Sequence, residues 1–114
     1  MTDCIFCKIA AGDIPADKLY EDDEVVSFRD IEPQAPVHAL VIPKRHIATL
    51  NDLTADDSAV IGKLYQTAIQ VARQLDVADS GYRTLINCNK QGGQDVFHIH
   101  LHLLAGRQMG WPPG

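Results

Sequence analysis

Apolar residues recur along the chain with two different periods, and the changes of period divide it into elements. Cys4-Ile5-Phe6-Cys7-Lys8-Ile9-Ala10 runs up to the break at Gly12-Asp13 and predicts a short helical turn or ordered arm. Val25-Val26-Ser27-Phe28 predicts a strand ending near Asp30, and the acidic run before it, residues 21–24, reads as a solvated turn. Pro33 and Pro36 make a linker to a stronger strand, His38-Ala39-Leu40-Val41-Ile42, which Pro43 closes. Val60, Ile61, Leu64, Ala68, Val71, Ala72 and Leu75 then fall on one helical face, and Thr54 with Asp57 three residues later supplies a cap. This predicts one helix of about 20 residues and roughly 30 Å. Tyr82 to Cys88 reads as a strand around Leu85-Ile86, residues 87–94 as a polar glycine-rich turn, and Val96 to Leu104 as the last strand. Residues 105–114 are a tail, because Gly110-Trp111-Pro112-Pro113-Gly114 extends neither a helix nor a central strand.

With only one helix long enough to serve as a parallel crossover, the strands must pair mostly antiparallel, which makes the fold α+β. The chain has 114 residues, 46% hydrophobic and 22% charged, a composition that builds one modest core over residues 1–114 and excludes disorder. Dimerisation would relieve so small a core. A formal net charge of −5 argues against bulk nucleic acid or an anionic membrane as partner. Met1-Thr2-Asp3-Cys4 carries no basic leader, and no segment approaches the roughly 20 apolar residues that span a bilayer, so the cytoplasm is expected. Three cysteines, an odd number, disfavour a disulfide scaffold; Cys4 and Cys7 read either as a metal-binding pair or as ordinary buried thiols.

The densest chemistry lies in Phe97-His98-Ile99-His100-Leu101-His102-Leu103-Leu104. In a strand, His98, His100 and His102 share one face, while Phe97, Ile99, Leu101 and Leu103 turn to the core. One histidine on a sheet face needs no special account; three in succession do, because apolar β-formers would fit better there. At about 3.3 Å per residue, His98 and His102 stand roughly 13 Å apart in a straight strand, too far to share one ion with metal–nitrogen bonds near 2 Å. A row of imidazoles suits nucleophilic chemistry, in which one nitrogen attacks while its neighbours fix its tautomer and donate to an anion. Gly92-Gly93-Gln94, just ahead of the row, offers backbone N–H groups for a phosphate.

These segments resemble the histidine triad (HIT) superfamily across nearly the whole chain. The resemblance is carried by Cys4-Ile5-Phe6-Cys7-Lys8-Ile9 with its following Gly-Asp-Ile-Pro, by residues 36–46, and above all by residues 92–104. The ending Gly106-Arg107-Gln108-Met109-Gly110-Trp111-Pro112-Pro113-Gly114 is most similar to the Hint branch of purine nucleoside phosphoramidases. The resemblance implies a five-stranded antiparallel sheet with one short and one long helix, the sheet continued across a homodimer. It implies hydrolysis of purine nucleoside 5′-monophosphoramidates, including aminoacyl-AMP and lysyl-AMP species, to AMP or GMP and an amine. By the same resemblance His100 is the nucleophile that forms a nucleotidyl-histidine intermediate, His98 contacts the phosphate and leaving group, and His102 and His38 orient the triad. Asp30 would accept from the ribose hydroxyls, Phe6, Ile9, Phe28, Ile31 and Leu40 would wall the base, and Asn87, Gly93 and Val96 would lie beside the phosphate and triad. Trp111 would reach the partner's substrate entrance.

Two features depart from the animal Hint pattern, one at Asp95 and one at the cysteines. Asp95 replaces a serine that donates toward the phosphate; a carboxylate accepts only, so it either attracts a cationic amine product or faces solvent. Bacterial relatives carry a structural zinc on ligands that map onto Cys4, Cys7, His46 and His98, a chemically satisfactory tetrahedral set. No cofactor is expected for the chemistry itself. Other readings of the pattern are a nucleotide-binding interaction protein with vestigial catalysis, and a dinucleoside polyphosphate hydrolase or nucleotidyl transferase, against which the Hint-like ending argues.

Overall fold

The computed structural model describes residues 3–114; Met1 and Thr2, half of the segment in which a leader was sought, lie outside the described residues. Five strands form one antiparallel sheet: β1 (Lys18–Glu21), β2 (Val25–Arg29), β3 (Val37–Pro43), β4 (Tyr82–Leu85) and β5 (Leu101–Ala105), in the order β1-β2-β3-β5-β4. The helices are α1 (Ile5–Ala11), α2 (Ser58–Gln74) and a single turn, α3 (Asn89–Gly92).

β3 is the axis of the molecule. It pairs with β2 on one side and β5 on the other, and both of its faces are covered, which explains a nearly continuous apolar run where a one-sided strand would alternate. Leu40 stands opposite Phe28 on β2 and His102 on β5, so these three and His38 share a face. On that face α1 packs Phe6 and Ile9 against Val26, Phe28, Leu40 and Ile42. The other face buries Val25, Val41, Leu101 and Leu103 beneath Leu64, Ala68, Val71 and Ala72 of α2. The histidine chemistry therefore sits on the α1 side, and the long helix serves the core.

The predicted last strand is shortened by five residues, because β5 begins at Leu101 and residues 96–100 leave the ladder. Its neighbour β3 ends at Pro43, which has no N–H to continue the pairing. The chain crosses instead to the segment after β3, where the Ile99 N–H donates to the Ile47 carbonyl at 2.8 Å. Only His102 of the triad is thus a strand residue, and Phe97, expected in the core, is 49% exposed.

Three smaller differences have similar local causes. The Thr54–Asp57 capping box forms, but it closes a 3-10 turn that leads into α2, leaving the helix at 17 residues. β4 stops at Leu85, short of the predicted Cys88, and the chain soon turns into α3 with Asn89 at φ 59°. The acidic run is the largely exposed turn expected, with Asp22 its one half-buried member. Asp22 accepts from the Glu24 and Val25 N–H groups at 2.8 and 3.0 Å, from the Tyr20 hydroxyl at 2.8 Å, and from Lys63 of α2 at 2.8 Å. Lys63, then the backbone donors, hold its carboxyl far below the usual range. β1 itself went unread because residues 18–21 lack an alternating apolar pattern and pair with β2 through an irregular register. At the far end Gly106 terminates β5 at φ 93°, where any Cβ would stand 2.8 Å from the Pro36 Cβ.

Candidate active site and metal centre

A cavity of about 270 Å³ opens on the α1 side of the sheet. Its walls are apolar, made by Phe6 and Ile9 of α1, Phe28 of β2, Leu40 of β3 and Val96, with Ile31 exposed at the mouth. His100 and His102 close one end, and Arg29, Asp30, Glu32 and Asp95 are the charged residues of its lining. Eight of the eleven residues expected around a nucleotide are therefore brought together. Asn87, Gly93 and Trp111 do not line the cavity, and Trp111 is 84% exposed. The glycine turn has a different occupation from the one expected, since the Gly93 and Gln94 N–H groups donate to the Lys90 and Asn89 carbonyls at 3.0 Å each. They close the α3 turn and are not free for a phosphate.

Hydrogen bonding fixes the tautomer of each histidine at the site. The Gln34 N–H donates to His38 Nδ1 at 3.0 Å, so His38 carries its hydrogen on Nε2. That nitrogen lies 2.9 Å from His102 Nδ1, which must accept, leaving the hydrogen of His102 on Nε2. His102 Nε2 is buried and has no partner among the described residues. His100 Nδ1 lies 2.8 Å from the His98 carbonyl and must donate to it, which leaves a bare lone pair on His100 Nε2. His100 is 3% exposed, its ring centroid is 4.9 Å from that of His102, and the Phe6 ring packs edge-on against it. A nucleophilic nitrogen and a neutral donor thus sit side by side at one end of an apolar cavity. Asp30 Oδ2 stands 3.4 Å from His38 Nε2. Asp30, His38 and His102 are close enough to hold an ion, but His38 spends its Nε2 hydrogen on this pair, which makes the group a hydrogen-bond relay.

Burial dominates the electrostatics. It lowers the pKa of His102 to about 4, with smaller contributions from His100 and His38, and it lowers His38 against the opposing pull of Asp30. Both rings stay neutral near neutral pH, as donation through the relay requires.

His98 faces away from the cavity. Its Nε2 donates to the Pro43 carbonyl at 2.8 Å, and its Nδ1 lone pair points at Cys4 Sγ (3.4 Å), Cys7 Sγ (3.6 Å) and His46 Nδ1 (3.2 Å). Cys7 Sγ is 3.3 Å from His46 Nδ1, and all four donor atoms lie within 4.8 Å of one another. Tetrahedral zinc with bonds of about 2.0–2.3 Å needs donor separations of about 3.3–3.8 Å, so this set can hold one metal ion. Burial and the adjacent Cys4 push the Cys7 thiol up, a shift that a bound cation reverses by taking both sulfurs as thiolates. Cys4 also caps α1 by accepting the Cys7 N–H at 3.3 Å, so the helix start and the metal cluster are one structure.

Sequence reasoning missed Gln34, whose contribution is a backbone N–H and so carries no side-chain signal. It also passed over Gln94, which is buried and ties the turn to Ala48 and Val96 through its amide. Ile5 and Ile14, which complete the cavity wall, were legible in principle: Ile5 lies one helical turn before Ile9.

An antiparallel α+β sheet carrying an imidazole cluster on its short-helix face defines a compact class of nucleophilic or anion-binding domains. The chain belongs to the HIT family, whose domain model matches residues 11–109. It is 53% identical over 112 residues to an uncharacterised HIT-like protein of Synechococcus elongatus, covering 98% of this chain and 97% of that one. It is 48% identical over 106 residues to the purine nucleoside phosphoramidase of Escherichia coli, covering 93% and 89%. A HIT family hydrolase of Legionella pneumophila superposes with a TM-score of 0.95 at 54% identity, over 97% of this chain and 99% of that one.

The neutral relay has a thermodynamic consequence. An unfolded histidine takes its proton near pH 6.5, whereas His102 resists until about pH 4. Its share of stability is complete above about pH 6.5 and is lost as pH falls toward 4, because the unfolded chain binds the proton first. Moving urea denaturation from about pH 7 to about pH 5 should cost about 1–2 kcal/mol through this ring, and His102→Gln should flatten that part of the profile.

Proposed function

We propose that the protein hydrolyses purine nucleoside 5′-monophosphoramidates of the AMP-amine kind, and the related aminoacyl-AMP and lysyl-AMP species, whose phosphorus–oxygen bond to the acyl group would break in place of phosphorus–nitrogen, through a nucleotidyl-histidine. The observation that carries this reading is the bare His100 Nε2 beside the unpartnered His102 Nε2–H at one end of an apolar cavity. Similarity to the Escherichia coli phosphoramidase supports the choice of substrate class. In the proposed reaction the His100 Nε2 lone pair attacks phosphorus while His102 Nε2–H donates to a phosphoryl oxygen. The phosphorus–nitrogen bond breaks as its nitrogen takes up a proton and departs as the amine. Water then adds at phosphorus, gives up a proton, and displaces His100 to release the nucleotide. Phe6, Ile9, Phe28, Leu40 and Val96 hold the base, Ile31 flanks it at the mouth, and Asp30 accepts from the ribose.

The Cys4, Cys7, His46 and His98 cluster takes a structural zinc in this reading. When bound, the ion would supply cross-linking of α1 to the segment after β3 and to His98. His98 is then a positioning residue: both of its nitrogens are engaged away from the cavity, and its carbonyl orients His100. Residues 1–114 act as one domain in a homodimer whose sheet continues across the interface. The support is the edge strand β4, half-buried throughout, with Tyr65 and Trp111 exposed. Trp111 reaches the partner's cavity, in keeping with its absence from its own. No helix of the described residues is long and apolar enough to cross a membrane, and the three free cysteines suit a reducing cytoplasm.

On rapid mixing with an AMP-amide, an acid-labile adduct should appear on the peptide bearing His100, and His100→Gly should lose about 10³-fold or more of the rate. An active His100→Gly enzyme with the same adduct would remove the assignment. Protein purified without added metal should contain close to one zinc per chain, and Cys7→Ser should lose it along with thermal stability. Light scattering should return twice the chain mass. Deleting residues 110–114 should keep the dimer while changing discrimination between bulky and small leaving groups.

A further inference from the structure

Asp95 combines exposure with proximity to the reacting atom. Its side chain is 82% exposed, yet it borders the cavity and brings Oδ1 to 3.6 Å from His100 Nε2. Among the described residues no Lys or Arg pairs with it. Of the other two lining acids, Asp30 is already committed, accepting the Glu32 N–H at 2.9 Å and facing His38, and Glu32 makes no pair with His100. The backbone at Asp95 is nonetheless fixed from both sides. The buried Gln94 side chain donates to the Ala48 and Val96 carbonyls and accepts the Asn89 N–H. A free carboxylate is thus carried to the nucleophile on a rigid mount.

We infer that Asp95 sets leaving-group specificity, selecting phosphoramidates whose departing amine carries an additional positive charge. The inference rests on the function proposed above. An attacked phosphorus must come within about 3–3.5 Å of His100 Nε2, which sets its anionic oxygens close to the Asp95 carboxylate. A carboxylate has only acceptors, so it offers a phosphoryl oxygen nothing but repulsion. A neutral alkylamine leaves that repulsion uncompensated. An ammonium borne on the leaving group by a short aliphatic tether instead stands between two anions and donates to the carboxylate. With the base against Phe6 and Phe28, as proposed above, the departing group at His100 meets the mostly exposed Asp95, and the selection is electrostatic rather than steric.

The test compares two AMP-amides of equal length, one of propylamine and one of 1,2-diaminoethane, which is cationic at its free end near neutral pH. Wild type should favour the diamine by about two- to fivefold in kcat/KM, as expected for one charge pair at a wet border. Asp95→Asn, nearly isosteric and uncharged, should bring the ratio close to one, chiefly by improving the neutral substrate. Raising salt from about 0.05 to about 0.5 M should shrink the wild-type preference and leave the variant unaffected. Asp95→Lys should turn the preference toward an amide of β-alanine, whose free end is anionic. Turnover of both substrates at a ratio that neither Asp95→Asn nor salt changes overturns this inference alone. Failure of wild type to hydrolyse either substrate overturns the functional reading and this inference with it.

Discussion

The 2.8 Å hydrogen bond from His98 Nε2 to the Pro43 carbonyl is the contact on which the site depends. It is available because Pro43 ends β3: with no N–H there, the ladder to β5 cannot continue, and the chain before Leu101 is released to cross over the strand end. Once His98 donates through Nε2, its Nδ1 must be a lone pair, and that lone pair meets the two sulfurs and His46. The same residue's carbonyl takes the His100 Nδ1 hydrogen, which frees Nε2 for attack. One buried residue thus sets both the cluster that can hold a metal ion and the tautomer of His100.

A second line of hydrogen bonds reaches the cavity from the opposite direction, from the Gln34 amide through His38 to His102. Each bond is of ordinary strength, about 1 kcal/mol net, but a reversed tautomer anywhere would leave a buried donor or acceptor unpaired at about 1–3 kcal/mol. The penalty falls on alternatives, so the proton positions are single-valued. Among the described residues, His102 Nε2–H is the buried side-chain donor that no protein group accepts. A phosphoryl oxygen would pair it, the pattern expected of a group organised for ligand rather than for stability.

The sheet and its helices were legible because the apolar pattern is strong where burial is complete: in β3, in α2 and in the second half of the histidine segment. Reading that segment as one strand from Val96 to Leu104 was the main error. Alternation of His with Ile and Leu continues through residues 98–104, yet only Leu101 onward finds a partner strand. Periodicity reports which side chains are buried, and Ile99 is fully buried, but it does not report which backbone receives the N–H. The same limitation hid Gln34 and turned Gly93 and Gln94 from presumed phosphate donors into a closed turn. Periodicity alone also concealed the turn of His98 away from His100, since on a straight strand they would share a face; only the family resemblance, which maps His98 onto a metal ligand, pointed to it. The motif singled out the histidines; the end of β3 decided their directions.

The two ends of the cavity are built from different material, and this difference shapes what can change. Phe6, Phe28 and Leu40, which the proposed reading places against the base, are at the same time core residues clamping α1 to the sheet. Altering them to suit another base would cost the packing that holds Cys4 and Cys7 in place, with truncations of this kind losing about 2–5 kcal/mol. Asp95 contributes nothing to the core and stands mostly in water. Its substitution meets no such cost, because exposed positions usually change stability by less than about 0.5 kcal/mol. Recognition at the apolar end is therefore bound to folding, while recognition at the charged border is independent of it. A fold divided in this way can retain one nucleotide pocket and one nucleophile while the departing group is retuned one exposed residue at a time.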